Sequence, residues 1–337
     1  MTKLPEPRIV KENESFVALV TGDLYAIEQF HLSTDVDNFS AILDRNVYTR
    51  ITSLIRGDEI PPHSIGDFRW AAAVLAFCQI ADFKFQYGAS LQEYASKKGG
   101  ESAASDFECF YRADNCDPQA FIDFAVGRVD VLDSSSIADL EPCPSIPEAT
   151  RFEEPIYDFR LNYILALKVA TLSYRSDSPH KLMIEFIDWM DSDFICAAGA
   201  LQFANLYFSP ARKKRMLKKR TPNDVQNAAW DLAMIQSWRR CALKGNASGD
   251  PVVLITRDKA VRFIAERLVA TDLDEFKGQL VTQWKPRTKE GNAIFDRYME
   301  LHSKLESRSS PRPRFPDDEL DTLTADLEEQ LTMLNGT

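Results

Sequence analysis

Two short strings place aspartates where a site can be built. Ala41-Ile42-Leu43-Asp44-Arg45-Asn46-Val47-Tyr48 and Val253-Leu254-Ile255-Thr256-Arg257-Asp258-Lys259-Ala260 each begin as an apolar run of strand length and then reach an aspartate. Continuous Val/Ile/Leu runs read as buried parallel strands, and ligands of open α/β sheets bind outside the strands' carboxyl ends. Asp44 and Asp258 would then converge from distant parts of the chain. Carboxylates that converge repel one another unless a cation neutralises them, which points to Mg²⁺ or Mn²⁺.

Further acidic residues fall where such a site would need them. Thr221-Pro222-Asn223-Asp224 has the form of a helix start, with Thr at the N-cap, Pro at N1 and Asp at N3. The helix should run from about Pro222 to Leu243, and the loop Gly245–Pro251 should follow it. Asp224, Asn227 and Asp231 are spaced i, i+3, i+7 and share one face. Asp224 reads by itself as a cap partner, whereas Asp231, between Trp230 and Leu232, has no capping role. In Gly88-Ala89-Ser90-Leu91-Gln92-Glu93, Ser90 reads as an N-cap and Glu93 as its N3 partner or as a fourth ligand.

Ile42-Leu43-Asp44-Arg45-Asn46-Val47 resembles the opening strand of PIN-domain nucleases, and Leu254-Ile255-Thr256-Arg257-Asp258 resembles their closing strand. Glu93 matches the glutamate such domains place about one strand and one helix after the first aspartate. Asp231, in Asn227-Ala228-Ala229-Trp230-Asp231, matches the aspartate of their alanine-rich helix. The resemblance covers roughly residues 39–98 and 221–270. It implies a three-layer α/β/α fold with a central parallel sheet and divalent-metal-dependent hydrolysis of phosphodiesters, usually RNA. Asp44, Glu93, Asp231 and Asp258 become the candidate catalytic residues and metal ligands, with Asp224 as a further ligand. Asn46, Thr256 and Asn227 are neutral neighbours suited to orienting ligands or meeting a phosphate oxygen. A toxin-like or defence role is within the family's range. The distance from Asp44 to Asp258 is longer than in compact members, so a large insertion is expected.

The elements around these residues divide into a core at 1–100 and 211–275, a helical insertion at 101–210 and an extension at 276–337. In the insertion, Tyr163–Tyr174, Ser178-Pro179 with the residues after it, and Ala197–Phe208 have helical apolar spacing. Tyr207 and Phe208 read as core residues, with base stacking as the alternative. Residues 307–316 have linker composition. Asp317–Leu334 carries seven acidic residues around a stripe of Leu320, Leu323, Leu327, Leu331 and Leu334, an amphipathic helix that needs a cover. Packing on the main body, self-association or a protein partner would supply it.

The chain has 337 residues, 45% hydrophobic and 27% charged, with a net charge of −11. No apolar stretch approaches a membrane span and the start lacks a signal-like apolar segment, so a cytoplasmic enzyme is expected. Six cysteines show no Cys-x-x-Cys, and four scattered histidines argue against zinc chemistry or a histidine base. Charge distribution matters more than its sum: Arg212, Lys213, Lys214, Arg215, Lys218, Lys219 and Arg220 place seven cations in nine residues, a candidate RNA-binding strip. The alternatives are a PIN-like scaffold that binds RNA or protein without cutting, and an Asp-nucleophile phosphatase. The latter fits poorly, because Asn46 stands where a second aspartate belongs.

Overall fold

The apolar runs at 40–43 and 252–255 pair as neighbours in a computed structural model. It describes residues 10–12, 15–17, 39–132, 142, 143, 145, 148, 152, 157–210, 217, 220–248, 252–268, 273–307 and 314–335. Contacts divide the chain into two compact units: Met1–Pro155 with Ser237–Asp258, and Ile156–Gln236 with Lys259–Thr337. Helices dominate both. The sequence suggested one insertion at 101–210. By contacts, 101–132 belong with the sheet and 157–210 with the C-terminal residues.

In the first unit, β1 (Val10–Glu12) and β2 (Ser15–Val17) form an antiparallel pair. The parallel sheet that carries the site has the order β4-β3-β5, from β3 (Ser40–Leu43), β4 (Lys84–Gln86) and β5 (Val252–Ile255). The central β3 is set in register by Ile42 opposite Gln86 and Leu43 opposite Ile255. All four residues of β5 are buried, as expected of a parallel strand covered on both faces. Helices α1 (Arg45–Arg56), α2 (Ile65–Ile80), α3 (Gly88–Lys98), α4 (Gly100–Asp114) and α5 (Pro118–Ala125) complete the unit. Their core is aromatic: Phe39 stacks on Phe83 at 5.1 Å and Tyr48 on Phe110 at 4.5 Å. Parallel sheet and strand-end aspartates agree with an α/β reading, in a unit with few strands and many helices.

The second unit comprises α6 (Tyr157–Leu172), α7 (Pro179–Ser192), α8 (Ala198–Phe208), much of α9 (Pro222–Ser248), α10 (Lys259–Leu268), α11 (Leu273–Gln283), α12 (Thr288–Glu306) and α13 (Asp317–Asn335). Helix α9 begins where Thr221 predicts and runs through Ser248, so part of the expected loop is helical. Tyr207 and Phe208 are buried and pack edge-on at 5.5 Å, which makes them core residues. The leucine stripe of α13 is covered within the chain. Leu320, Leu327 and Leu331 are buried, and α13 packs on α6. Arg160 binds Asp317 and Asp321, each at 2.6 Å, and the Tyr163 hydroxyl donates to Glu328 at 2.7 Å. Leu323 and Leu334 of the same stripe are half-buried. Among the described residues, no helix is long and apolar enough to cross a membrane.

Candidate active site at the carboxyl edge of the sheet

Asp44 directly follows β3, and its backbone N–H still donates to Ile255 O at 2.9 Å. There the chain turns into α1, and the Asp44 side chain caps that helix: Oδ1 accepts from the Asn46 N–H at 3.1 Å and from Asn46 Nδ2 at 3.5 Å. Oδ2 accepts from the Thr256 hydroxyl at 2.6 Å, and the same Thr256 Oγ accepts from the Asp258 N–H at 3.0 Å. One buried hydroxyl, 212 positions from Asp44 in sequence, thus links the two strand-end aspartates.

Glu93 reaches this edge by a different route from the one the sequence suggests. Helix α3 begins at Gly88, so Ser90 lies inside its first turn rather than at its cap. The Ser90 hydroxyl instead donates to Leu43 O at 2.5 Å and pins α3 to the end of β3. Glu93 follows one turn later, half-buried, and its Oε1 accepts from Lys97 Nζ at 2.7 Å.

The electrostatics single out Asp44, which is 2% exposed. Burial pushes its carboxyl above the ordinary value, and the like charges of Glu93 and Asp258 push the same way. The hydrogen bonds from Thr256 and Asn46 oppose the shift. A carboxylate destabilised by desolvation and by two other carboxylates would be relieved by a cation. The donor set is all oxygen, suited to a hard divalent ion, and Asp44 Oδ2 retains a lone pair beyond the hydrogen bond from Thr256. Among the described residues, no group of three or more His, Cys, Asp or Glu side chains could hold a metal ion. Mg²⁺ does not need one, since it keeps several waters and often uses one or two carboxylates plus substrate phosphates.

The remaining candidates belong to the second unit. Asp224, Asn227 and Asp231 are on the stretch of α9 that belongs to the second unit. Asp224 N–H donates to Thr221 Oγ at 3.3 Å and Thr221 N–H to Asp224 Oδ2 at 3.4 Å, the reciprocal cap its spacing predicts. Asp231 is half-buried, and its neighbour Trp230 stacks on Phe159 at 4.1 Å. Of the basic run, Arg212, Lys213, Lys214, Arg215, Lys218 and Lys219 lie outside the described residues. Arg220, at a left-handed φ of 57°, lays its guanidinium on the Tyr174 ring at 3.9 Å and donates to Ser173 O at 3.1 Å.

Two arginine arrangements beside the edge escape sequence reading. Arg45 and Arg56 bracket the buried Asp106 at 2.7 and 2.6 Å, with Arg45 also 3.9 Å from the centre of the Tyr94 ring. Arg50 and Arg257 share Asp67. These partners are 17 to 190 residues apart, and no local pattern announces them. Comparison of the chain with protein-family models, curated proteins and solved structures gives no match.

Proposed function

We propose that the first unit is a PIN-like nuclease that hydrolyses phosphodiesters of RNA with Mg²⁺ or Mn²⁺. One observation carries the reading: a buried Asp44 at the carboxyl end of the central parallel strand, under the fields of Glu93 and Asp258. Asp44 and Asp258 would hold the ion and Glu93 would orient its waters, all three from the first unit. The ion would supply charge neutralisation at the phosphate and a more acidic water. Thr256 fixes the rotamer of Asp44, and Asn46 holds its other oxygen. The decisive assay is cleavage of labelled single-stranded RNA with Mg²⁺ or Mn²⁺. Activity should vanish in EDTA and in Asp44→Asn and Asp258→Asn; activity that survives both substitutions would end the reading.

A second reading is a PIN-like scaffold that binds RNA without cutting it. Its support is that Asp44 already serves as a helix cap and a hydroxyl acceptor, and that no group of three or more described His, Cys, Asp or Glu side chains could hold a metal ion. On that reading Asp44→Asn keeps RNA binding, and no metal produces cleavage.

A further inference from the structure

Beside the acidic edge, two guanidinium groups are fixed by one carboxylate. Arg50, on α1, donates through Nη1 to Asn46 O at 2.6 Å and through Nη2 to Asp67 Oδ2 at 3.0 Å. Arg257, between Thr256 and Asp258, binds the other oxygen of Asp67 and lies 5.3 Å from the centre of the Trp70 ring. Both arginines are thus attached to the segments that present Asp44 and Asp258.

The cluster carries two positive charges against one negative charge. Each guanidinium has five N–H donors, and these contacts use two nitrogens of Arg50 and one of Arg257, so donors remain for a ligand. The side chains are 24% (Arg50), 42% (Arg257) and 38% (Asp67) exposed, so solvent and solutes reach them. Ion pairs at that exposure add little stability. What this one does is hold two long side chains in place, which lowers the ordering cost of binding an anion. A polyanion approaching the carboxylates of Asp44, Glu93 and Asp258 would be repelled, and fixed cations beside them offset that repulsion.

The geometry points to a phosphate clamp: Arg50 and Arg257, aligned by Asp67, grip backbone phosphate of single-stranded RNA next to the carboxylate edge. The clamp rests on the proposed function for its substrate class but is tested by binding alone. It also supplies, from described residues, the electrostatic grip that the sequence suggests for the 212–220 run.

The experiment is fluorescence anisotropy of a labelled oligouridylate with the full chain in EDTA across a salt series, beside a separate cleavage assay with Mg²⁺. Arg50→Ala and Arg257→Ala should each weaken binding by about tenfold, the loss of one charge-assisted contact. Each should flatten the slope of log affinity against log salt by about 0.7. Arg50→Lys and Arg257→Lys should keep the slope but lose affinity, because the planar fork is gone. Arg128→Ala, which removes an exposed partner of Asp123, should change neither. If Arg50→Ala lowers the melting temperature by parting α1 from α2, the exposed Arg257 decides. Unchanged affinity and slope in Arg257→Ala overturns the clamp, as does absence of RNA binding by the wild type. Wild-type binding that these variants weaken, without cleavage under any metal, keeps the clamp and removes the nuclease. Cleavage with KM and salt slope unaltered in both alanine variants removes the clamp and keeps the nuclease.

Discussion

Asp44 and Asp106 are both buried aspartates of the first unit, 2% and 0% exposed, and they are held in opposite ways. Asp106 lies between two arginines, and its backbone carbonyl accepts from the Tyr48 hydroxyl at 3.4 Å. Asp44 is held by a hydroxyl and an amide, and the fields of two more carboxylates act on it. Arg45 follows Asp44 directly in sequence yet turns to Asp106. A fold that could place a guanidinium beside Asp44 places it elsewhere. Buried charge matched by opposite charge is the mark of structure, while buried charge left under repulsion is where functional sites concentrate.

The largest effect tests the structural member of the pair. Asp106→Ala leaves Arg45, with a side chain 10% exposed, buried without its anion. The cost should be about 3–5 kcal/mol, toward the lower end because Arg56 is 33% exposed and can turn to water. Urea denaturation reads it, and a loss below about 1 kcal/mol, the scale of an exposed pair, would show that the triad does not anchor α1 to α4.

Asp44→Asn should do the reverse. Cleavage should fall by more than the roughly 10–100-fold expected when a group behind a metal ligand is changed, while the melting temperature holds or rises because a desolvated charge is gone. Thr256→Val should fall within that 10–100-fold range, since it removes only the hydroxyl between Asp44 and Asp258. An Asp44→Asn protein that melts as early as Asp106→Ala and cuts as well as wild type would make the two aspartates alike and end the contrast.

The pH dependence separates them as well. The folded-state pKa of Asp44 lies above its ordinary 3.8, so the folded protein retains this proton where the unfolded chain has lost it. Stability from this group is therefore full below the ordinary value and is lost as pH rises through the raised one. Wild type should match Asp44→Asn in acid and fall behind it toward neutrality. Mg²⁺ should close that gap at neutral pH, by about 2.7 kcal/mol at a hundredfold excess over Kd, and should do little in acid. Calorimetric melting at several pH values with and without Mg²⁺ measures both. A Mg²⁺ effect equal in Asp44→Asn would place the ion elsewhere.

How much of this was legible in sequence depends on how local each signal is. Asp44 and Asp258 stand out because a buried parallel strand announces itself as an apolar run, and the aspartates come within three residues of its end. The Thr221/Asp224 cap and the leucine stripe of α13 are equally local, with periods set by the helix. Ser90 was misread for the same reason: a serine three residues before a glutamate imitates a capping box, whereas its hydroxyl bonds to Leu43, 47 residues away. Asp106 with its two arginines, and Asp67 with Arg50 and Arg257, join residues that only the tertiary fold brings together. The basic run at 212–220 is conspicuous because its charges are adjacent in sequence, whereas Arg50 and Arg257 stand singly and are joined only by the fold.

The smallest effect decides whether Glu93 belongs with Asp44 or is only a helix-surface pair. Lys97 stands one turn after Glu93 on α3, and an i,i+4 pair of this kind contributes about 0.3–0.5 kcal/mol. Lys97→Ala should therefore barely move the melting temperature. It should, however, leave the Glu93 charge less compensated, and that charge already raises Asp44. If the carboxylates share an ion, the Mg²⁺ concentration that half-saturates the thermal shift should fall in Lys97→Ala and rise in Glu93→Gln. Opposite movements tie Glu93 to the edge that Asp44 and Asp258 form. Equal or absent movements return Glu93 to the helix surface and leave the site to the two strand-end aspartates.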